Sequence, residues 1–165
     1  MKKLLSAIIF LSLLLLFGAN PITAQDTKQE KQAKKEAAIR SLIETQHYSF
    51  EAQSVSPLGS PTKQLSYGYE LKMRKDTLEA YLPYFGKAHQ ATIASSGDGG
   101  IRFKTTDFKY EITEGKKGGW DITMIPKNAG DTKQLFLSIS SNGYGTLQVN
   151  SNNKQSISFY GFIRK

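Results

Sequence analysis

The sequence predicts an all-β protein, an antiparallel meander of eight or nine strands closing into a barrel or half-barrel, preceded by one N-terminal helix. Three observations predict it. From His47 onward apolar and polar residues alternate with a period of two, the pattern of half-buried antiparallel strands. Short turn sequences separate the alternating stretches, close enough together for consecutive strands to pair. Before His47 the apolar period is helical.

The chain opens on a short basic start, Met1-Lys2-Lys3, followed by an almost unbroken apolar run from Leu4 to Phe17. The run breaks at Gly18 and Pro21 and ends in Ile22-Thr23-Ala24, the pattern of a cleavable export signal over residues 1–24. It falls short of the roughly 20 residues that a membrane-spanning helix needs. The mature chain is expected to begin at Gln25 and to be soluble in the periplasm or outside the cell. There is no cysteine, so the lipid-anchored route is closed and an exported domain must hold together without disulfides. Thiol nucleophiles, redox pairs and thiolate metal sites are excluded with it.

Residues 25–46 read as a charged helical segment, with the helix itself over residues 27–45. Thr27 and Glu30 have capping-box spacing, and Glu30–Lys34 and Glu36–Arg40 are favourable pairs four residues apart. An apolar stripe of Ala38, Ile39, Leu42 and Ile43 occupies only the second half, so the first turns should be solvated and the last should dock. The lysine-rich stretch from Lys28 to Lys35 reads as a solvated face.

Residues 47–165 read as the barrel domain. Tyr48, Phe50 and Ala52 set the apolar phase of the first strand, and Leu65, Tyr67, Tyr69, Leu71 and Met73 that of the next. A strand stopped by Pro83 follows, then Ile101 to Thr105 and Phe108 to Ile112. Trp120 to Met124, Leu135 to Ile139, Leu147 with Val149, and Ile157 with Phe159 complete the series. Gly115 to Gly119, Asn142-Gly143 and Ser151 to Lys154 are hairpin turns, and Asn128 to Asp131 is a longer one. A meander leaves edges that closure removes. The last strand also carries Tyr160 and Phe162 on its polar phase, and the stripe at Ala38 and Leu42 is the nearest candidate to cover them.

The net charge of +8 drops to +6 once Lys2 and Lys3 leave with the signal, and the excess lies in residues 47–165. It suits solubility, with anionic headgroups or acidic glycans as the sharper alternative. It is too dilute for a nucleic-acid partner.

No catalytic constellation emerges, and the chain reads as non-enzymatic. His47 and His89 lack further ligands at a metal-binding spacing. Gly97-Asp98-Gly99-Gly100 lacks the Gly-Lys-Ser/Thr ending of a phosphate loop. Glu70, Glu111 and Asp121 fall on the solvated phase of their strands, and Asp76 and Glu79 lie near a turn. None forms the facing pair of a glycosidase. No cofactor is implied.

The aromatic residues stand out instead. Tyr67, Tyr69 and Trp120 are expected inside the barrel, either as ordinary core or lining an incompletely filled interior. Tyr81, Tyr84 and Phe85, around Pro83, are expected to staple a loop across one barrel end or to form the mouth of a pocket. The segment from Lys87 to Gly100 could then act as a lid.

Tyr81-Leu82-Pro83-Tyr84-Phe85-Gly86, Gly99-Gly100-Ile101-Arg102-Phe103, Lys117-Gly118-Gly119-Trp120, Gly143-Tyr144-Gly145-Thr146-Leu147-Gln148-Val149 and Ile157-Ser158-Phe159-Tyr160-Gly161 together resemble a family of exported bacterial proteins. It is a family of unknown function, number 4251 in that series, and the resemblance runs from about Glu36 to the C-terminus. It implies a lipocalin-like β-barrel and brings no activity, cofactor or catalytic residue. A shared barrel does not carry a shared ligand. The resulting expectation is a binding protein of the bacterial envelope, its ligand a lipid, a hydrophobic small molecule or a glycan, with no nucleic acid and no membrane span. The alternative is a protein-interaction module with a filled core.

Overall fold

The computed structural model describes residues 22–86, 100–115 and 118–165, with side chains from residue 27 onward. The apolar run from Leu4 to Phe17, His89 and residues 87–99 of the expected lid lie outside the described residues, as does most of the expected export signal. The described residues fall into two compact units, divided between Lys34 and Lys35. In the first, residues 27–34 of helix α1 (Ile22–Glu44) are exposed, and Glu30 pairs with Lys34 at 2.6 Å. Among the described residues no helix is long and apolar enough to cross a membrane.

Among the described residues the second unit holds the rest of α1 and ten strands: β1 (His47–Pro57), β2 (Lys63–Gln64), β3 (Glu70–Arg74), β4 (Thr77–Leu82), β5 (Ile101–Thr105), β6 (Phe108–Glu114), β7 (Trp120–Pro126), β8 (Thr132–Ile139), β9 (Tyr144–Ser151) and β10 (Ile157–Arg164). Nine of them form one antiparallel path in the order β5-β4-β3-β1-β10-β9-β8-β7-β6, with β2 paired to β1 beside it. The first and last strands are therefore partners, and the barrel is nearly closed. Its opening falls between β5 and β6, which are consecutive in the chain.

The long strand β1 makes this possible. It runs along β10 from Ser49 to Pro57, while its other edge is shared by β3 and then β2. A bulge between Ala52 and Ser54 bends it, as an extra residue in one strand does. Inward positions are filled by large apolar side chains, Tyr48, Phe50, Leu71, Met124, Leu135 and Phe159 among them, all fully buried. Burial of this kind contributes about 1.5–3 kcal/mol per large side chain.

Tyr48 brings a polar atom into that interior, and its hydroxyl lies 3.4 Å from that of Tyr110. Burial first, then the charge and hydrogen bond of Tyr110, hold the Tyr48 phenol well above the ordinary value of 10.0. Burial raises Tyr110 as well. The native state thus keeps protons that the unfolded chain releases near pH 10, so stability is fully present below that pH and falls as the pH rises beyond it. Tyr48→Phe should flatten the alkaline decline and cost about 1 kcal/mol at neutral pH. Urea titrations at pH 7 and pH 11 read both quantities, and an unchanged alkaline slope would assign the decline to other groups.

Two expectations are corrected. The stretch Leu65 to Met73 is not one strand, because Gly68 takes a left-handed φ of +100° in a turn that interrupts the chain between β2 and β3, both of which run antiparallel to β1 along the same edge. Nor does the helix reach Tyr160. Its second half belongs to the core through Ile39 and Ile43, with Leu42 half-buried and Ala38 exposed. Ile39 packs on Gly143, Arg40 stands over the Trp120 ring at 5.5 Å, and Glu36 accepts a bond from Ser141 at 3.3 Å, where a pair with Arg40 was expected. These contacts place the helix on the barrel end where β8 turns into β9. Only Thr45 and Gln46 link α1 to β1, so the helix stays near the start of β1. Tyr160 pairs with Ser54, about 20 Å further along that strand.

Candidate functional site

The outer face of β1, β10, β9 and β8 carries the site, and the register of those strands builds it. Tyr160 lies between Ser54 and Thr146, and Thr146 lies opposite Ser138. One row of the sheet thus reads Ser54, Tyr160, Thr146, Ser138, a single aromatic ring flanked by hydroxyls. The row below reads Ser56, Ser158, Gln148, Phe136. The bulge in β1 lets two successive side chains, Gln53 and Ser54, face the same groove.

The groove over the first row has a volume of about 590 Å³ and is walled by Gln53, Gln64, Ser140, Tyr144 and Tyr160. A neighbouring groove of about 580 Å³ runs past Pro57, Leu58, Gln148 and Ser158, and Tyr160 lines it too. A smaller one of about 160 Å³, beside Phe136, shares Ser138 and Thr146 with the first. Tyr160, 45% exposed, is therefore the ridge of a continuous track. Among the described residues no charged side chain lines the two large grooves, while Asp121 borders the small one. Among the described residues, the side chains of Gln53, Gln64, Ser138, Thr146 and Tyr160 make no hydrogen bond to protein, which leaves their donors and acceptors open to a ligand.

At the next rows the chemistry changes. Phe162 lies between Glu51 and Tyr144, and Glu51 faces Glu70 on β3. The Arg164 guanidinium meets Glu51 at 3.1 Å and Glu70 at 3.5 Å, and Lys72 meets Glu70 at 2.8 Å. Two adjacent carboxylates are thus tied to two cations, a structural ion cluster rather than an acid and a base facing a cleft. Among the described residues no group of three or more His, Cys, Asp or Glu side chains is placed to hold a metal ion.

The expected site residues fall in several places. Trp120 is core, 6% exposed. Tyr67, expected inside, stands in the turn before β3 and is 96% exposed. The alternation that pointed it inward is interrupted by the turn at Gly68. Tyr69, also expected inside, stacks on Tyr81, with ring centres 5.6 Å apart, and Tyr81 faces outward on β4 under the Arg102 guanidinium. The Tyr84 hydroxyl donates to the Gln155 carbonyl at 3.1 Å, and Phe85 is half-exposed beneath the Lys63 ammonium at 4.8 Å. The structure brings Tyr69 and Tyr81 together and leaves Trp120 apart from them. Tyr144, Phe136 and the amides of Gln53 and Gln64 were missed. Their signal was available, since Phe136 and Tyr144 are aromatic residues on the polar phase of their strands.

The match to known families decides the relationship. A family model described as a domain of unknown function, DUF4251, covers residues 30–163. The chain belongs to the DUF4251 family. A crystal structure of a DUF4251 family protein from Bacteroides eggerthii DSM 20697 aligns with a TM-score of 0.60 over 80% of this chain and 90% of that one, at 14% identity. At that identity the likeness concerns the fold, and both chains share the DUF4251 barrel. No curated protein matches this chain.

Proposed function

We propose that this DUF4251 chain is an exported, non-enzymatic binding protein that holds a neutral glycan of the bacterial envelope along the Tyr160 track. The observation that carries the proposal is the lining of the groove: an exposed aromatic ring set among hydroxyls and amides, with no charged side chain. A sugar ring presents an apolar C–H face and a rim of hydroxyls. The first suits the Tyr160 ring, and the second suits Ser, Thr and Gln side chains that can donate and accept. An open groove with shared polar contacts binds without the enclosure that an apolar ligand needs. The ion-paired state of Glu51 and Glu70 supports a role without hydrolysis. The basic start and apolar run before Ala24 support export.

Titration calorimetry with soluble neutral oligosaccharides of increasing length tests the reading. Tyr160→Ala should weaken binding by at least about tenfold, since truncating an aromatic side chain at the centre of a contact surface commonly costs about 2 kcal/mol or more, and about 1.4 kcal/mol is tenfold. The melting temperature should change little, because Tyr160 is on the surface. Equal binding by the wild-type and Tyr160→Ala proteins, or no heat with any neutral oligosaccharide, would remove the groove from consideration. N-terminal sequencing of protein recovered from the producing cell should begin at Gln25.

A further inference from the structure

The barrel opening has a local cause. Thr105 ends β5, and its hydroxyl donates to the Lys127 carbonyl at 2.9 Å while accepting from the Asp107 amide at 3.1 Å. The Lys127 amide in turn donates to the Asp107 carbonyl at 2.8 Å, and the two side chains pair at 3.3 Å. The corner is thereby tied to the end of β7, and β6 leaves along β7 instead of folding back on β5. Each of the two strands is left at one end of the sheet, with a strand neighbour on only one side among the described residues.

The two edges differ. Along β5 the outward side chains are Arg102 and Lys104, both positive, the usual protection against edge pairing. Along β6 they are Lys109, Glu111 and Thr113, of mixed sign. The inward side chains of β6 are incompletely covered, with Phe108 and Tyr110 half-buried and Ile112 43% exposed.

We propose that β6 is a self-association edge, pairing antiparallel with β6 of a second copy of this chain about a two-fold axis through Tyr110. The charge pattern selects both the partner and the register. Pairing must keep side chains of one face together, so allowed registers differ by two residues. With the axis at Tyr110, Lys109 of each copy faces Glu111 of the other, and Phe108 faces Ile112. Moving the axis to position 109 sets Lys109 against its own copy, and moving it to position 111 does the same for Glu111. Both shifts put like charges directly opposite one another, which is unfavourable. Tyr110 is held in place from within by its contact with Tyr48 at 3.4 Å, so the residue on the axis belongs to the barrel lining as well as to the edge. The inference stands apart from the glycan reading, whose residues lie on other strands.

Sedimentation velocity of the purified protein over a range of concentrations tests it. The wild-type protein should show a reversible dimer. Lys109→Glu places a carboxylate opposite Glu111 at both ends of the axis and should weaken the dimer by at least about tenfold. Glu111→Lys should do the same by opposing two ammonium groups. The double variant Lys109→Glu/Glu111→Lys restores opposite charges and should restore the dimer. Both side chains are exposed, and circular dichroism verifies that each variant is folded. A wild-type monomer at every concentration, a dimer indifferent to the single variants, or no recovery in the double variant would each overturn the proposal.

Discussion

Gly161→Val is expected to be the most damaging single change in the barrel, with a loss of at least about 3 kcal/mol and a melting temperature lower by roughly 10 °C. Gly161 takes an inward position on β10, between Phe159 and Ile163, and is itself buried. Its neighbours across the ladder are Ala52 on β1 and Gly145 on β9. A Cβ atom there would collide with the carbonyl of Glu51, which is backbone and cannot swing aside. The bulge that follows Ala52 brings the backbone of β1 inward at this point, and glycine is what lets β10 approach it. The strain would therefore fall on the pairing of β1 with β10, which joins the two ends of the chain. Gly161→Ala should show a smaller loss of the same sign. Thermal melts of the two variants check the order, and a loss below about 1 kcal/mol for valine would mean that the two strands have room to separate.

Ile43→Asp is the second. Ile43 is 1% exposed and belongs to the core cluster although it sits on α1. An aspartate there would have to be buried without a counter-ion or the last turns of the helix would have to lift off. The cheaper of the two outcomes sets the cost, estimated at about 4 kcal/mol. Ile43→Val keeps the apolar contact and should cost only about 1 kcal/mol. Chemical denaturation separates the two variants. Similar midpoints for both would show that the helix end contributes little to the barrel, in spite of its burial.

The strands were legible in the sequence because alternation is local: Leu135, Leu137 and Ile139 face inward in the structure as they do in the pattern. Tyr67 was not legible. Its phase matched that of Leu71 and Met73, and only the turn at Gly68 shows that the pattern was interrupted. The docking of the helix was half legible. Ile39 and Ile43 are buried as the stripe predicts, while the turn at Gly143 that Ile39 meets and the Trp120 ring that Arg40 meets come from more than seventy residues away along the chain. The groove was the least legible feature. Tyr160 was visible as an apolar residue on a polar phase, but the ring became the ridge of a track only through its neighbours Ser54 and Thr146, which two other strands supply.

The sequence by itself determined the fold class, the helix before the barrel, most turn positions and the lack of any thiol chemistry, all of which follow from residues near one another in the chain. Only the tertiary structure decided that the first strand pairs with the last, that the barrel opens between β5 and β6, and that the uncharged aromatic groove lies outside it. Those features depend on the register between distant strands. Register is chosen by the summed packing of both sheet faces and by close approaches such as that of Gly161 to Glu51, and no window of local sequence contains either.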